Sequence, residues 1–163
     1  NSKKLFIWGF LFMSVIGTLL HFVYEWSGNN SIVRLFAPWN ESTWEHMKLL
    51  FFPMLALVLF LFFKLPEQSP IPVALSIGTL VGLALIPILF YTYTGVLGFS
   101  VMAIDIAIFY ISVLGAFLIG WFLNDNRELA NRRGLLLTCL VILAILFFIF
   151  SYYPPEIGLF QEP

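Results

Sequence analysis

Two histidines and a few acidic residues are the chemically versatile side chains of an otherwise apolar chain. His21 and Glu25 are four residues apart, so a helix would place both on one face. His46 directly follows Glu45, and Asp105 is the only ionisable residue in a later apolar run. Imidazole nitrogens and carboxylate oxygens are ligands for Zn²⁺, Mn²⁺ and Fe²⁺. The pattern therefore predicts a divalent-metal site, with His21, Glu25 and His46 as its metal ligands.

A metal ion with an open coordination position activates water or polarises an ester carbonyl. In this hypothesis Glu45 is the general base, and Asp105 is a third ligand or the acceptor that fixes a histidine tautomer. Glu41 is an alternative ligand from the same segment as His46. The residues predicted to contact substrate are Asn40, Glu41, Trp44 and Tyr91. The predicted activity is hydrolysis or group transfer on a lipid or lipid-linked substrate.

A simpler interpretation covers part of this segment. Ser42 with Glu45 three residues later is the pattern of a capping box, and Glu45 with Lys48 could form an ordinary ion pair on one helix face. It leaves His46 unexplained, because a helix turns that side chain about 100° away from Glu45.

Three other functions stay open at this stage. Carboxylates and histidines inside a membrane also form proton relays, which predicts a proton-coupled transporter or channel working as a homo-oligomer. The cluster could instead be structural, with partner binding as the function. His21 and His46 could also ligate a haem, although nothing else in the sequence indicates a haem pocket.

The composition determines which kind of element must carry these residues. Of 163 residues, 61% are hydrophobic and only 10% are charged, whereas a soluble domain has about 25% charged residues. A soluble protein of this size could not bury so much apolar surface. The single cysteine, Cys139, excludes an intrachain disulfide, and the net charge of −1 without a basic face excludes a nucleic-acid partner. The lipid bilayer is the expected environment.

Five stretches are long and apolar enough to span a bilayer as helices. Their predicted bounds are about 5–26, 43–63, 71–93, 99–123 and 135–153, within a single transmembrane domain covering 1–163. Continuous apolar runs exclude a β-barrel, whose strands alternate apolar and polar residues. The sequence predicts an all-α, polytopic five-helix bundle with an interfacial loop over 27–42.

The positions of the basic residues predict how this bundle is oriented. Short cytoplasmic loops are enriched in lysine and arginine. One end of the predicted bundle carries six of the eight basic residues, namely Lys3, Lys4, Lys64, Arg127, Arg132 and Arg133. Arg34 and Lys48 lie at the other end. We therefore expect the N-terminus inside, the C-terminus outside, and the His/carboxylate pocket at the outer face.

The segment that holds His46 resembles the signature of an uncharacterised family of small bacterial membrane proteins, Pro-Val-Asn-Glu-Ser-x-Trp-Glu-His-x-Lys. In this chain it reads Pro38-Trp39-Asn40-Glu41-Ser42-Thr43-Trp44-Glu45-His46-Met47-Lys48. Trp39 stands where the family has valine. His21, Glu25 and the run from Tyr153 through Phe160 extend the resemblance over nearly the whole chain. It implies a multi-pass protein of the bacterial plasma (inner) membrane and no particular activity.

A looser similarity connects Asn40 and His46 with the Asn-x-x-x-His pattern of the progestin-and-adiponectin-receptor hydrolase superfamily. Those proteins have seven helices and a late histidine pair for zinc, and this chain has neither. The similarity is an analogy for metal-dependent lipid hydrolysis.

Overall fold

The protein is an all-α bundle in the computed structural model, which describes residues 2–163. Five long helices follow one another as α1 (Ser2–Trp26), α2 (Thr43–Lys64), α3 (Ile71–Leu97), α4 (Met102–Leu123) and α5 (Arg133–Tyr152). Three short 3-10 helices lie between or after them, at Val33–Leu35, Arg127–Arg132 and Gly158–Phe160. No strand occurs within residues 2–163. All five helices are long and apolar enough to cross a membrane, which confirms the predicted number of long apolar helices.

The turn between α3 and α4 differs from the sequence prediction. The third span was expected to end near residue 93, before a turn framed by Gly95 and Gly98, but α3 continues through Gly95 to Leu97. Gly98 ends it in the left-handed conformation, with φ of +81°, which a residue with a side chain rarely adopts. As a result α4 begins at Met102 instead of Phe99.

Small residues on α3 and α4 allow these two helices to make the most extensive helix pair of the bundle. A Cβ atom added to Gly82 would lie 2.9 Å from the carbonyl oxygen of Ser112 and 3.1 Å from the Ala116 side chain. Ser112 and Ala116 are fully buried. Ser112 and Ala116 therefore lie on the face of α4 that packs against α3.

α2 lies at the centre of the molecule and carries the largest share of the core. Its buried side chains include Phe51, Met54 and Val58, each at most 1% exposed. Because consecutive helices run in opposite directions, the C-terminal ends of α1, α3 and α5 share one end of the bundle with the N-terminal ends of α2 and α4. We call this end the site end, because it carries both histidines.

Candidate functional site

A close approach between α1 and α2 brings the two histidines together. A Cβ atom on Gly17 would lie only 2.8 Å from the Leu49 carbonyl oxygen. Pro53 lacks the N–H that would normally bond this carbonyl, so the oxygen is free on the face that meets α1. His21 lies one turn beyond Gly17, and His46 lies one turn before Leu49. Their rings stack with centroids 5.3 Å apart and an interplanar angle of 30°.

Hydrogen bonds to nearby side chains stabilise the start of α2, close to Glu41 and His46. Ser42 is the N-cap residue, and its hydroxyl accepts from the Glu45 backbone N–H at 3.3 Å. Asn40 Oδ1 accepts from the Ser42 N–H at 3.0 Å. These bonds satisfy amides that a helix start leaves without intrahelical partners. They stabilise the first turn of α2, at Ser42 and Glu45.

A backbone contact defines which ring nitrogen of His46 carries a proton. Its Nδ1 lies 3.0 Å from the carbonyl oxygen of Ser42, and since a carbonyl only accepts, Nδ1 carries the proton. Nε2 therefore faces Glu41 Oε2, at 3.3 Å. A nitrogen lone pair and a carboxylate repel each other, so this contact needs either a second proton or a cation between the two atoms. An imidazole oriented by a backbone carbonyl through its other nitrogen is the usual arrangement of a metal-binding histidine.

Glu41 lies in the loop before α2 and is the partly exposed member of this group, with 66% of its side chain accessible. The hydrogen bond from His46 holds the pKa of Glu41 below its ordinary value, although partial burial opposes the shift. Glu41 is therefore a carboxylate over the physiological pH range. Its negative charge is available to a cation.

His21 contributes a buried ring nitrogen that lacks a partner. Its Nδ1 is inaccessible to solvent and has no hydrogen-bond partner among residues 2–163. A buried polar atom left in this way costs roughly 1–3 kcal/mol. One ligand atom from each of His21, Glu41 and His46 lies within 4.8 Å of the others. This His21/Glu41/His46 group could hold a metal ion, and two imidazoles with one carboxylate suit zinc or a non-haem iron site.

A cavity of about 110 Å³ adjoins this group. It is lined by residues of α1 and of the loop before α2, namely His21, Phe22, Tyr24, Glu25, Pro38, Trp39, Asn40 and Glu41. Glu25 thus shares the cavity with His21, as the sequence predicts, but it lies outside the three-residue group. The space is large enough for several water molecules. Glu25 and Glu41 are the acidic residues of its wall, and no lysine or arginine among residues 2–163 lines it.

Glu45 lies on the other side of α2 and belongs to a separate buried cluster. Lys48 Nζ donates to Glu45 Oε2 at 2.5 Å, to Ser151 Oγ at 2.5 Å and to the Arg34 carbonyl oxygen at 2.8 Å. Lys48 is fully buried and Glu45 is 2% exposed. All three protons of the ammonium group are used, which is what a buried lysine requires. The structure thus contains the ion pair between Glu45 and Lys48 that the simpler interpretation of the sequence suggested.

The remaining predicted site residues lie outside the His21/Glu41/His46 group. Trp44 is buried in an aromatic cluster, stacked on Phe147 with centroids 4.4 Å apart. Tyr91 is 43% exposed on the surface of α3. Asp105 accepts a hydrogen bond from the Tyr93 hydroxyl, which in turn accepts from the Val101 N–H at 3.0 Å. Asp105 therefore ties the start of α4 to the end of α3.

The sequence did not indicate two features of the site end. One is the pair of distant acceptors of Lys48, namely Ser151 Oγ and the Arg34 carbonyl oxygen, although the Glu45–Lys48 ion pair itself was one interpretation of the sequence. The other is Glu162, whose Oε1 lies 3.3 Å from the backbone N of Glu41 and accepts its hydrogen bond. No periodicity connects residues 121 positions apart, so the sequence alone could not have indicated it.

The fold and the site together define a five-helix protein with membrane-spanning character and a His/Glu group at one end of its bundle. The chain belongs to a family of unknown function (DUF6512), whose model matches residues 1–163. This agrees with the resemblance to an uncharacterised family. No curated protein and no solved structure matched the chain in the corresponding comparisons.

Proposed function

We propose that this protein is a multi-pass bacterial plasma-membrane protein that binds a divalent metal ion at its outer face. The six basic residues at the end opposite the site end would lie in the cytoplasm, with the N-terminus, by the positive-inside rule. The site end would then face outward. His21, Glu41 and His46 are the ligands in this proposal.

The observation that carries the proposal is that one ligand atom from each of His21, Glu41 and His46 lies within 4.8 Å of the others. The buried Nδ1 of His21 also lacks a hydrogen-bond partner among residues 2–163. A cation shared by this group would give the His21 ring a partner and would take the place of the proton that His46 Nε2 otherwise donates to Glu41. Two ligands of a tetrahedral zinc ion lie about 3.4 Å apart, from metal–ligand distances of about 2.0–2.1 Å. The Nε2–Oε2 separation of 3.3 Å is close to that value.

The proposed activity is metal-dependent hydrolysis or group transfer on a lipid or lipid-linked substrate. Three protein ligands leave a coordination position open for water or a carbonyl oxygen. We assign the general base to Glu25 instead of Glu45, because Glu25 lines the same cavity as His21 and Glu41 while Glu45 is held by Lys48.

Elemental analysis of the purified protein tests the metal site. The wild type should carry about one divalent ion per chain, and His21→Ala and His46→Ala should each lose most of it. Glu67→Ala removes an exposed acid at the opposite end of the bundle and is the matched control that should retain the ion. Metal-free wild type with pH-dependent ion flux in liposomes would refute the metal site and favour the proton-coupled transporter.

A further inference from the structure

The segment after α5 returns to the candidate site and is anchored there. Phe160 is 9% exposed, and its ring lies 4.9 Å from the Trp44 ring and 5.2 Å from the Phe150 ring, measured between centroids. The 3-10 helix Gly158–Phe160 presents this side chain. Two residues further along, Glu162 accepts the backbone N–H of Glu41 at 3.3 Å.

Glu41 is therefore held at two points. Its carboxylate contacts His46, and its backbone amide is bonded to Glu162. The neighbouring amides of Ser42 and Glu45 find acceptors within the loop and the cap. Of these three amides, only that of Glu41 depends on an acceptor from a distant segment.

We propose that Glu162 is a positioning residue for the metal ligand Glu41, with Phe160 anchoring the segment that carries it. The effect on metal binding rests on the proposed function, whereas the hydrogen bond from the Glu41 amide to Glu162, which we call the tether, does not. Glu41 lies in an exposed loop, and its carboxylate would sample many positions without a fixed backbone. Holding a ligand in place before the ion binds lowers the entropy that binding must remove.

The test compares substitutions at Glu162 in the full-length protein. Glu162→Ala removes the acceptor, whereas Glu162→Gln keeps an amide oxygen that accepts the same bond. Glu156→Ala is the matched control, because Glu156 is an exposed acid of the same segment. Two quantities are measured: the dissociation constant for Zn²⁺ and the hydrogen–deuterium exchange rate of the Glu41 amide in metal-free protein.

We expect Glu162→Ala to weaken Zn²⁺ binding roughly fivefold, because Glu41 is no longer held in place before the ion binds, and to accelerate exchange at Glu41. Glu162→Gln and Glu156→Ala should match the wild type in exchange rate, Zn²⁺ affinity and melting temperature. Exchange or Zn²⁺ affinity in Glu162→Ala equal to that of Glu156→Ala would overturn the proposal. If the wild type binds no Zn²⁺ but exchange is faster in Glu162→Ala, the tether is supported and the metal site is refuted.

Discussion

At the scale of single residues, the candidate site depends on which way neighbouring side chains point. Glu45 and His46 are adjacent, yet one is buried against Lys48 and the other faces Glu41 and His21. The helical angle of about 100° per residue predicts this separation. The sequence offers both Glu25 and Glu41 beside the two histidines and cannot decide which of them lies close to both, because that depends on the path of the loop that carries Glu41.

The Glu41–His46 contact predicts a specific pH dependence of stability. The folded-state pKa of Glu41 is lowered, chiefly by the hydrogen bond from His46. Its contribution is therefore fully present above the ordinary value of 4.5 and is lost as the pH falls through the lowered pKa. In metal-free protein, Glu41→Gln should lower the melting temperature at pH 7, and this difference should shrink as the pH falls below 4.5. A difference that grows below pH 4.5 would contradict this prediction.

Lys48 provides a second residue-scale prediction. Lys48→Met leaves the Glu45 carboxylate buried without its cation, which should reduce the free energy of unfolding by about 3–5 kcal/mol. The double variant Glu45→Gln with Lys48→Met should recover much of this loss, since neither charge remains. Lys64→Met, an exposed change in the last turn of the same helix, should stay within about 0.5 kcal/mol. Chemical denaturation in detergent micelles measures all three.

Equal stability of Lys48→Met and Lys64→Met would show that the Lys48 cluster does not hold α2 to α5. If the double variant is less stable than Lys48→Met, the loss of unfolding free energy comes from changed packing and not from the unpaired Glu45 charge.

At the scale of elements, the contact between α1 and α2 sets the distance between the histidines. Gly17→Ala adds a Cβ 2.8 Å from a backbone oxygen, and backbone yields less easily than a flexible side chain. We expect a loss of about 1–3 kcal/mol in stability, together with weaker metal binding as His21 moves from His46. Gly95→Ala is the control, because nothing lies within 4 Å of its added Cβ.

Stability and metal content of the two glycine variants can be measured side by side. Gly95→Ala should be neutral or slightly stabilising, as alanine favours helix over glycine. Gly17→Ala with unchanged metal affinity would mean that the close approach at Gly17 does not position His21.

The helices themselves could be predicted almost completely from sequence. Runs of about twenty apolar residues leave a membrane-soluble chain few alternatives to helix, and four of the five predicted spans match their helices to within three residues at each end. The α3–α4 turn deviated because either Gly95 or Gly98 could have ended α3, and only the left-handed φ of Gly98 decides between them. Partners from distant segments, such as Tyr93 for Asp105, depend on packing that no local pattern contains.

At the scale of the whole molecule, the proposed orientation predicts which loops are accessible from outside the cell. Cys139→Ser removes the single cysteine and gives a background for Asn30→Cys at the site end and Glu128→Cys at the opposite end. A membrane-impermeant maleimide applied to intact cells should label Asn30→Cys, and Glu128→Cys only after lysis. The reverse labelling pattern would place the site end in the cytoplasm.

The central claim is that His21 and His46, the only two histidines of the chain, bind one metal ion together. X-ray absorption spectroscopy of zinc-loaded protein, purified with a tag that contains no histidine, measures this directly. The account predicts two imidazole ligands per ion in the wild type, and one imidazole or loss of the ion in His46→Ala. A wild-type spectrum without imidazole ligands, or a protein that takes up no zinc, would contradict it.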